Sequence, residues 1–252
     1  MGKRSRSQNS GDATVPIALR IPGRWKSPWQ LTEQMPADCR LTRGALILPN
    51  QAKIELSFLK ADTEFPGIFA SILRAPATDR ELRLVNHYTV TALLRGPGGS
   101  PQAARTMMEA GAAMVRAGGA GVFIENCVMA HGGKNWLRLT QDGSPDALTH
   151  AFVAIASEEA DLWSLGMHAL GFPDVVVKKS DPEQDIDAVI DAIEYLTRCD
   201  RPVFSGDVML DLKGRRYRVF SEACDKAFAG SLAFNPFGRL RLVSVGDVSP
   251  GR

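Results

Sequence analysis

The chain has 252 residues, a formal net charge of +2 at neutral pH and 44% hydrophobic residues. This length allows a large buried core, and the balance of apolar and charged residues excludes a disordered or fibrous protein. No apolar run approaches the length of a membrane span, and outside its basic first ten residues the chain is close to neutral. We therefore expect neither a membrane protein nor a nucleic-acid-binding protein.

Residues 1–12 are polar and serine-rich, with basic side chains at Lys3, Arg4 and Arg6, which predicts a disordered basic tail. The tail lacks the apolar stretch of a secretory signal, which favours a cytoplasmic location. Residues 13–252 are predicted to form one domain, with a candidate sub-boundary near residues 141–150. The spacing of the four cysteines indicates no metal site and no disulfide framework, and we predict no cofactor.

Three stretches of the chain share a pattern of an apolar strand, a turn with Ser and Pro, a helix and another strand. The first unit has a strand at residues 17–21, a helix at 29–34 and a strand at 44–48. The second has a strand at 87–95, a helix at 101–117 and a strand at 121–125. The third has a strand at 173–178, a helix at 182–197 and a strand at 202–208. Serine before proline is typical of a helix start, because serine caps a free N–H and proline has none. The pattern is open to two interpretations, an internal repeat or chance, since Ser-Pro helix starts are common.

The third predicted helix carries an apolar stripe with a 3.6-residue period, which should face the core. The stripe consists of Ile186, Val189, Ile190, Ile193 and Leu196. Ile190 lies in its middle and is predicted to be buried. At the start of the helix, Ser180 and Glu183 have the spacing of a capping box.

The rest of the chain is predicted to be mostly strand. Residues 53–59 alternate apolar and polar side chains, residues 208–220 form a hairpin around a Lys-Gly turn, and residues 240–245 form a last strand. Helices separated by strands and hairpins predict an α+β fold. We expect a mainly antiparallel sheet with helices packed on one face, built in part from the β-α-β-like units.

The segment Trp163–Val177, which leads into the third unit, carries a resemblance to a known family. Its residues are Gly166, Gly171, Phe172, Pro173 and Asp174, which open a strand before the long helix. The segment resembles the bacterial family catalogued as domain of unknown function 4261, over residues 152–220, and the helix start at Gly98-Gly99-Ser100 is similar to what precedes that domain in longer relatives. The resemblance implies a bacterial source and supports these predicted elements. It implies no catalytic residue, because the family has no assigned activity.

The glycine-rich turn at residues 96–100 lies between a predicted strand and a predicted helix. Backbone N–H groups at a helix start attract anions, and glycine lets a ligand approach, so Gly98, Gly99 and Ser100 are candidate ligand-binding residues. The turn has neither the lysine of a P-loop nor the spaced glycines of a dinucleotide site. A tight turn with a serine cap is the simpler interpretation.

Three further candidate ligand-binding residues are His131, Lys134 and His168. His131 and Lys134 follow the predicted strand at residues 121–125, and His168 lies within the family-like segment. An imidazole and an ammonium at a strand end can hold an anion, or can place a base near the Cys127 thiol. The simpler interpretation is that the histidines are structural and that the loop is incidentally polar.

Charge separates along the second half of the chain. Residues 141–200 contain 13 acidic and three basic residues, whereas residues 201–252 contain nine basic and five acidic residues. We predict a non-catalytic, intracellular bacterial binding module, which takes a partner protein or a small anionic ligand through its sheet or this two-signed surface. The alternative is an enzyme acting on an anionic small molecule near the turn at residues 96–100 and His131/Lys134. The oligomeric state is left open.

Overall fold

The fold is taken from a computed structural model, which describes residues 15–179, 182–198 and 201–245. The predicted tail at residues 1–12, the predicted Ser180 cap and Cys199 lie outside the described residues. Among the described residues, no helix has the length and apolar character that crossing a bilayer requires.

Seven strands form the first sheet of the described chain. They are β1 (Pro16–Gly23), β2 (Arg40–Thr42), β3 (Ala45–Ile47), β4 (Lys53–Lys60), β5 (Val90–Pro97), β6 (Gly121–Ile124) and β7 (Met129–Gly132). Their order is β2-β3-β4-β5-β1-β6-β7, and neighbouring strands are antiparallel. β1 pairs with β5 along its whole length, so that Leu19 lies opposite Leu94 at the centre of the sheet.

Six strands form the second sheet. They are β8 (Ala154–Ser157), β9 (Asp161–Leu165), β10 (Asp174–Lys178), β11 (Val208–Leu210), β12 (Arg216–Glu222) and β13 (Arg239–Ser244). Their order is β11-β12-β13-β10-β9-β8, and only the pair of β10 with β13 is parallel among the described strands. The hairpin predicted at residues 208–220 is the pair of β11 with β12, and the predicted last strand is β13.

Seven α-helices and two short 3-10 turns complete the described chain. The helices are α1 (Pro28–Gln34), α2 (Phe65–Ser71), α3 (Asp79–Asn86), α4 (Pro101–Arg116), α5 (Gly133–Asp142), α6 (Pro145–Phe152) and α7 (Pro182–Arg198); the turns are Met167–Leu170 and Lys226–Phe228. The hydroxyls of Ser27 and Ser100 cap α1 and α4, as the Ser-Pro pattern predicts, and the hydroxyl of Ser144 caps α6, which was not predicted. The fold class, α+β with mostly antiparallel sheets, is confirmed.

The prediction that the rest of the chain is mostly strand is wrong for four segments, which form α2, α3, α5 and α6. These helices have only 7 to 10 residues, so each displays about two turns of a periodic pattern. Two carried usable signals. Thr78 and Glu81 form a capping box at α3, and Ser144 precedes the proline that begins α6.

The strand predicted at residues 202–208 is also wrong, because β11 begins only at Val208. The preceding residues form a turn, in which the Phe204 backbone N–H donates to the Asp207 carboxylate at 3.0 Å. Gly206 adopts a φ of 97°, a conformation that glycine favours and that a regular strand does not contain.

The three predicted β-α-β-like units do not share one sheet arrangement. In the first unit, β1 and β3 are separated by β4 and β5. In the second, β5 and β6 flank β1, and in the third, β10 and β11 are separated by β13 and β12. The first and third units also differ from each other, because β1 and β3 run antiparallel whereas β10 and β11 run parallel. The common Ser-Pro helix start therefore does not determine how the flanking strands are arranged in a sheet.

One continuous apolar core joins the two sheets. α4 packs on β1 and β5 of the first sheet, and α7 packs on β9 and β10 of the second. α6 contacts α4, α5 and α7, so the candidate sub-boundary near residues 141–150 lies within a packed junction. A smaller apolar cluster that includes Phe65, Phe69 and Tyr88 covers part of the opposite face of the first sheet, through α2 and α3.

The buried face of α7 differs from the predicted stripe. Val189, Ile193 and Leu196 are buried as predicted, but Ile190 is 37% exposed and Ile186 is 39% exposed. Ala188 and Ala192 are buried in their place. The two alanines let α7 pack closely on β9 and β10, so Ile186 and Ile190 lie at the edge of this contact.

Candidate functional site

The glycine-rich turn before α4 packs against the 3-10 turn at Met167–Leu170. The Ser100 hydroxyl accepts a hydrogen bond from the Ala103 backbone N–H at 3.2 Å, which caps the helix. The Gly99 backbone N–H donates to the Ala169 carbonyl at 3.0 Å, and Gly99 has a φ of 80°. Gly99 therefore already has a protein partner for the N–H that an anion would use.

Close backbone packing explains the glycines on both sides of this contact. A Cβ atom on Gly98 would lie 2.8 Å from the Val15 carbonyl oxygen and 2.8 Å from the Ile17 side chain. A Cβ atom on Gly171 would lie 2.5 Å from the Gly99 carbonyl oxygen. The turn is thus a tightly packed junction between the start of α4 and the segment from Gly166 to Gly171.

His168 lies in the same junction and is 1% exposed. Its Nε2 atom is 2.9 Å from the Leu232 carbonyl oxygen and 3.1 Å from the Asn126 amide nitrogen. A proton on Nε2 makes the first contact a hydrogen bond, because a carbonyl oxygen only accepts. Nδ1 has no hydrogen-bond partner among the described residues. Burial lowers the pKa of His168 to about 4, so the ring is neutral at physiological pH.

Asn126 ties His168 to the first sheet. Its fully buried amide accepts from the Ala18 backbone N–H at 3.0 Å and donates to the carbonyls of Pro16 and Leu232. Of the predicted candidates, the structure thus brings Gly98, Gly99 and Ser100 near the segment of His168.

His131 and Lys134 belong to a different part of the fold. His131 is fully buried, with Nε2 3.2 Å from the Ala151 carbonyl oxygen and Nδ1 accepting from the Asn135 amide at 3.0 Å. Burial lowers its pKa to about 4. Lys134 is exposed, and its backbone N–H donates to the Glu81 carboxylate at 2.6 Å. No recorded contact links either residue to the glycine-rich turn.

The Cys127 thiol is buried and far from nucleophilic. Burial raises its pKa to about 12, so the thiolate is scarce at neutral pH. Cys39, Cys127 and Cys224 are free thiols. Among the residues with assigned structure, no group of three or more His, Cys, Asp or Glu side chains is placed to hold a metal ion.

Asp174, at the start of β10, is a buried carboxyl that the sequence analysis did not select as a site. It accepts from the Asn235 amide at 2.8 Å, and from the Met167 backbone N–H and the Ser164 hydroxyl at 3.2 Å each. Burial raises its pKa to about 6, against these hydrogen bonds. The network joins β9, β10 and the loop before β13, so its role in the geometry is to hold these segments together.

A cavity of about 650 Å³ lies at the second sheet, where the hairpin of β8 and β9 and strand β10 meet the loop before β13. Trp163 of β9 and Val176 of β10 are directly paired and form part of its wall. Phe228, from the loop between β12 and β13, stands at its side. This cavity, which we call the Trp163 cavity, is lined by Glu158, Glu159, Ala160, Asp161, Trp163, Val176, Asp225, Ala227, Phe228 and Arg239.

The lining of the Trp163 cavity contains four carboxylates and one arginine. The Asp161 carboxylate accepts hydrogen bonds from both Nη atoms of Arg241, at 3.1 and 3.2 Å. Asp225 lies 3.7 Å from Arg239, whose guanidinium stands 5.6 Å from the centre of the Phe228 ring. Glu158 and Glu159, at the exposed tip of the hairpin between β8 and β9, make no ion pair with a described residue.

The indole N–H of Trp163 is a buried group beside this cavity. It is buried and has no hydrogen-bond partner among the described residues. The indoles of Trp25, Trp29 and Trp136 donate to Ala117, Glu33 and Met108, respectively. Sequence reasoning missed this site because its walls come from four separate segments, which are the hairpin of β8 and β9, β10, the loop with Phe228, and the start of β13. The acidic pair Glu158-Glu159 shortly before a tryptophan was the one local signal.

Comparisons of the chain with protein-family models, with curated proteins and with solved structures found no match. The resemblance of the segment around Gly166 and Asp174 to domain of unknown function 4261 therefore stays a prediction.

Proposed function

We propose that the protein is a non-catalytic binding module, whose Trp163 cavity takes a basic side chain from an extended segment of a partner protein. The observation that carries the proposal is the cavity itself. Its volume of about 650 Å³ lies within the range of protein ligand sites, and it joins aromatic walls to an acidic rim. The intracellular bacterial setting predicted from the sequence belongs to the same proposal.

The charges of the lining favour a cationic group over an anionic one. Glu158 and Glu159 have no ion-pair partner among the described residues, whereas the single lining arginine, Arg239, already lies beside Asp225 and Phe228. An anion would meet unpaired carboxylates. A guanidinium or ammonium would gain their attraction and would also be attracted by the face of an aromatic ring.

The apolar part of the lining favours a side chain with an aliphatic stem. Trp163 and Phe228 offer contact surface for methylene groups, with the buried Val176 behind them, while the carboxylates lie toward the hairpin tip and the loop. Arginine and lysine have this combination of an apolar stem and a charged end. A basic side chain of a partner fits the cavity better than a small inorganic cation does.

The proposal is tested with a blocked tripeptide, acetyl-Leu-Arg-Leu-amide, against the same peptide with citrulline, a neutral isostere of arginine. The readout is the indole N–H signal of Trp163 in a ¹⁵N-correlated spectrum, assigned by its loss in Trp163→Phe. We expect the arginine peptide to shift this signal with a dissociation constant in the millimolar range or tighter, and the citrulline peptide to bind at least about tenfold more weakly.

Two variants separate the site from general electrostatics. Glu158→Gln with Glu159→Gln should weaken binding of the arginine peptide about three- to tenfold, because the unpaired carboxylates are lost. Glu55→Gln, an exposed residue of β4 in the first sheet, removes a like charge elsewhere and should leave binding unchanged. Equal binding of the arginine and citrulline peptides, or no shift of the Trp163 signal by either, would overturn the proposal.

A further inference from the structure

A second cavity, of about 230 Å³, lies between α6 and α7 beside the segment that follows α2. Arg74 and His150 line it together with aliphatic side chains, among them Ile155, Ile190 and Ile193. We call it the Arg74 cavity. It differs from the Trp163 cavity in charge: the lining side chain without an ion-pair partner among the described residues is the cationic Arg74, not a carboxylate.

The backbone at Arg74 is fixed although the segment is outside the sheets. Leu73 forms an isolated bridge with Ala130, and the Arg74 backbone N–H donates to the Ala130 carbonyl at 2.9 Å. The Arg74 Nη1 atom donates to the Val153 carbonyl at 3.2 Å. These contacts hold the guanidinium at the cavity.

The guanidinium of Arg74 has no carboxylate partner among the described residues. Its recorded partners are the Val153 carbonyl and, at 3.9 Å, the Met129 sulfur. The two acids that line the cavity, Asp146 and Glu194, are both paired with Arg198. An arginine presents five N–H donors, so most of those on Arg74 remain available for a ligand.

His150 stands beside this unpaired charge. No hydrogen bond to either of its ring nitrogens is recorded among the described residues, and its ring centre is 6.0 Å from that of the buried His131. A neutral imidazole can donate one hydrogen bond to an anion, and an imidazolium can donate two. Arg74 and His150 thus provide donors of two kinds in the lining of the cavity.

The aliphatic wall of the cavity accounts for the exposure of Ile190, which does not pack into the core. Ile190 is 37% exposed on α7 although isoleucine usually lies inside, and it lines this cavity with Ile193. A ligand seated there would cover part of the Ile190 side chain and gain about 25 cal/mol for each Å² of apolar surface removed from water.

We propose that the Arg74 cavity binds a small aliphatic carboxylate, with the carboxylate on Arg74 and His150 and the hydrocarbon against the isoleucines. The volume of about 230 Å³ is below the range of drug-sized ligands, so the ligand is short. A carboxylate matches one guanidinium in a bidentate pair, whereas a phosphate dianion would need further donors that the aliphatic wall does not offer.

The probe for the test is 4-methylpentanoate, titrated into the full chain by calorimetry, with 4-methylpentanamide as a neutral isostere. Acetate tests the aliphatic part, and inorganic phosphate tests the charge alone. We expect the carboxylate to bind at least about tenfold more tightly than the amide, acetate or phosphate. Equal affinity for the amide, preference for phosphate, or no binding of the carboxylate at about 10 mM would overturn the proposal.

Variants then locate the site. Arg74→Gln should weaken binding of 4-methylpentanoate at least tenfold, Arg74→Lys should weaken it less, and Ile190→Ala should weaken it about threefold. Arg80→Gln, at an exposed position of α3, is the matched control and should bind as the wild type does. Thermal unfolding of each variant shows whether it is folded. Wild-type affinity in folded Arg74→Gln would contradict the proposal.

The Glu158→Gln, Glu159→Gln variant should bind 4-methylpentanoate normally, because its substitutions lie in the other cavity. This result keeps the two proposals independent, so that either can fail while the other stands.

Discussion

The two buried histidines share one chemical state although different elements hold them. In His131 and His168 the Nε2 atom faces a backbone carbonyl, and burial lowers the pKa of each to about 4. A neutral ring that donates to a carbonyl is suited to holding a backbone segment in place. Residue type made both histidines candidates for chemistry, but burial, which the sequence does not display residue by residue, gives them a structural task.

This state predicts a loss of stability in acid. The unfolded chain takes up a proton on each histidine near pH 6.5, whereas the folded chain does so near pH 4. Between these values the unfolded state binds more protons, so the free energy of unfolding falls as the pH falls from about 6.5 to 4. For His168, the full shift corresponds to about 3 kcal/mol.

His168→Gln tests this loss, because glutamine can donate to the Leu232 carbonyl but does not titrate. We expect urea unfolding to show a smaller decrease in stability from pH 7.5 to pH 4.5 in the variant than in the wild type, by up to about 3 kcal/mol. His87→Gln, at an exposed position, is the control and should follow the wild type. Parallel pH profiles for all three proteins would contradict the assignment.

Asp174 acts in the opposite direction over part of the same range. Burial raises its pKa to about 6, so the folded state holds this proton more tightly than the unfolded state, and stability falls as the pH rises from about 4 to 6. The wild-type profile is therefore a sum of opposed contributions. The comparison between the wild type and His168→Gln removes the contribution of Asp174, because both proteins contain it.

At the scale of elements, the contact between the glycine-rich turn and the 3-10 turn joins the two sheets. Gly171 has a φ of 88°, and its Cα faces the Gly99 carbonyl so closely that a Cβ would lie 2.5 Å away. Gly206 has a similar φ of 97°, but nothing lies within 4 Å of its would-be Cβ. The two glycines thus have the same backbone requirement and different surroundings.

Alanine at these two positions separates backbone strain from packing. Gly206→Ala should destabilise the protein by about 1–2 kcal/mol, the cost of a left-handed conformation for a residue with a Cβ. Gly171→Ala should cost a further ~1–3 kcal/mol, because the backbone of Gly99 must move. The measurement is the unfolding free energy of each variant in urea. Equal losses would show that the junction is looser than described.

The packing of α7 predicts different costs for two identical substitutions. Ile193 is 3% exposed, so Ile193→Ala should destabilise the protein by about 2–5 kcal/mol through lost burial and a cavity. Ile190 is 37% exposed, so Ile190→Ala should cost less than about 1 kcal/mol. The measurement is the urea midpoint of each variant, compared where the dependence of the unfolding free energy on urea is unchanged. It decides between the buried face seen in the structure and the stripe predicted from sequence. A larger loss for Ile190→Ala would favour the predicted stripe.

The elements that the sequence predicted are those with a strong local signal. β1, β4 and α4 lie where the patterns put them, with a clear alternation in β4 and a long period with a serine cap in α4. β5 begins at Val90 instead of residue 87, because His87 caps the end of α3. The position of Ile190 at the edge of its helix contact depends on how closely Ala188 and Ala192 approach the sheet. A periodic pattern gives the apolar side of a helix, but the centre of the contact is set by the neighbouring element.

At the scale of the whole molecule, the candidate site depends on topology that no local pattern contains. The Trp163 cavity is formed by the hairpin of β8 and β9, by β10, by the loop between β12 and β13, and by the start of β13. β10 and β13 become neighbours only because the chain returns through α7, β11 and β12. The sequence predicted binding through a sheet and a charge separation in this half of the chain, but it predicted neither the cavity nor the residues that line it.

The continuous core predicts that the two sheets unfold together. α6 contacts helices of both sheets, and the glycine-rich turn holds the start of α4 against the segment before β10, so opening one sheet exposes apolar surface of the other.

Trp25 lies beside the first sheet, and Trp163 lies in the second. Their indole N–H signals in a urea series should decay at the same midpoint, although a chain of this size exceeds the usual range of two-state unfolding. Trp136, which packs on α4, provides a third probe between them. Loss of the Trp163 signal at a clearly lower urea concentration than the Trp25 signal would show two units, with a boundary at residues 141–150.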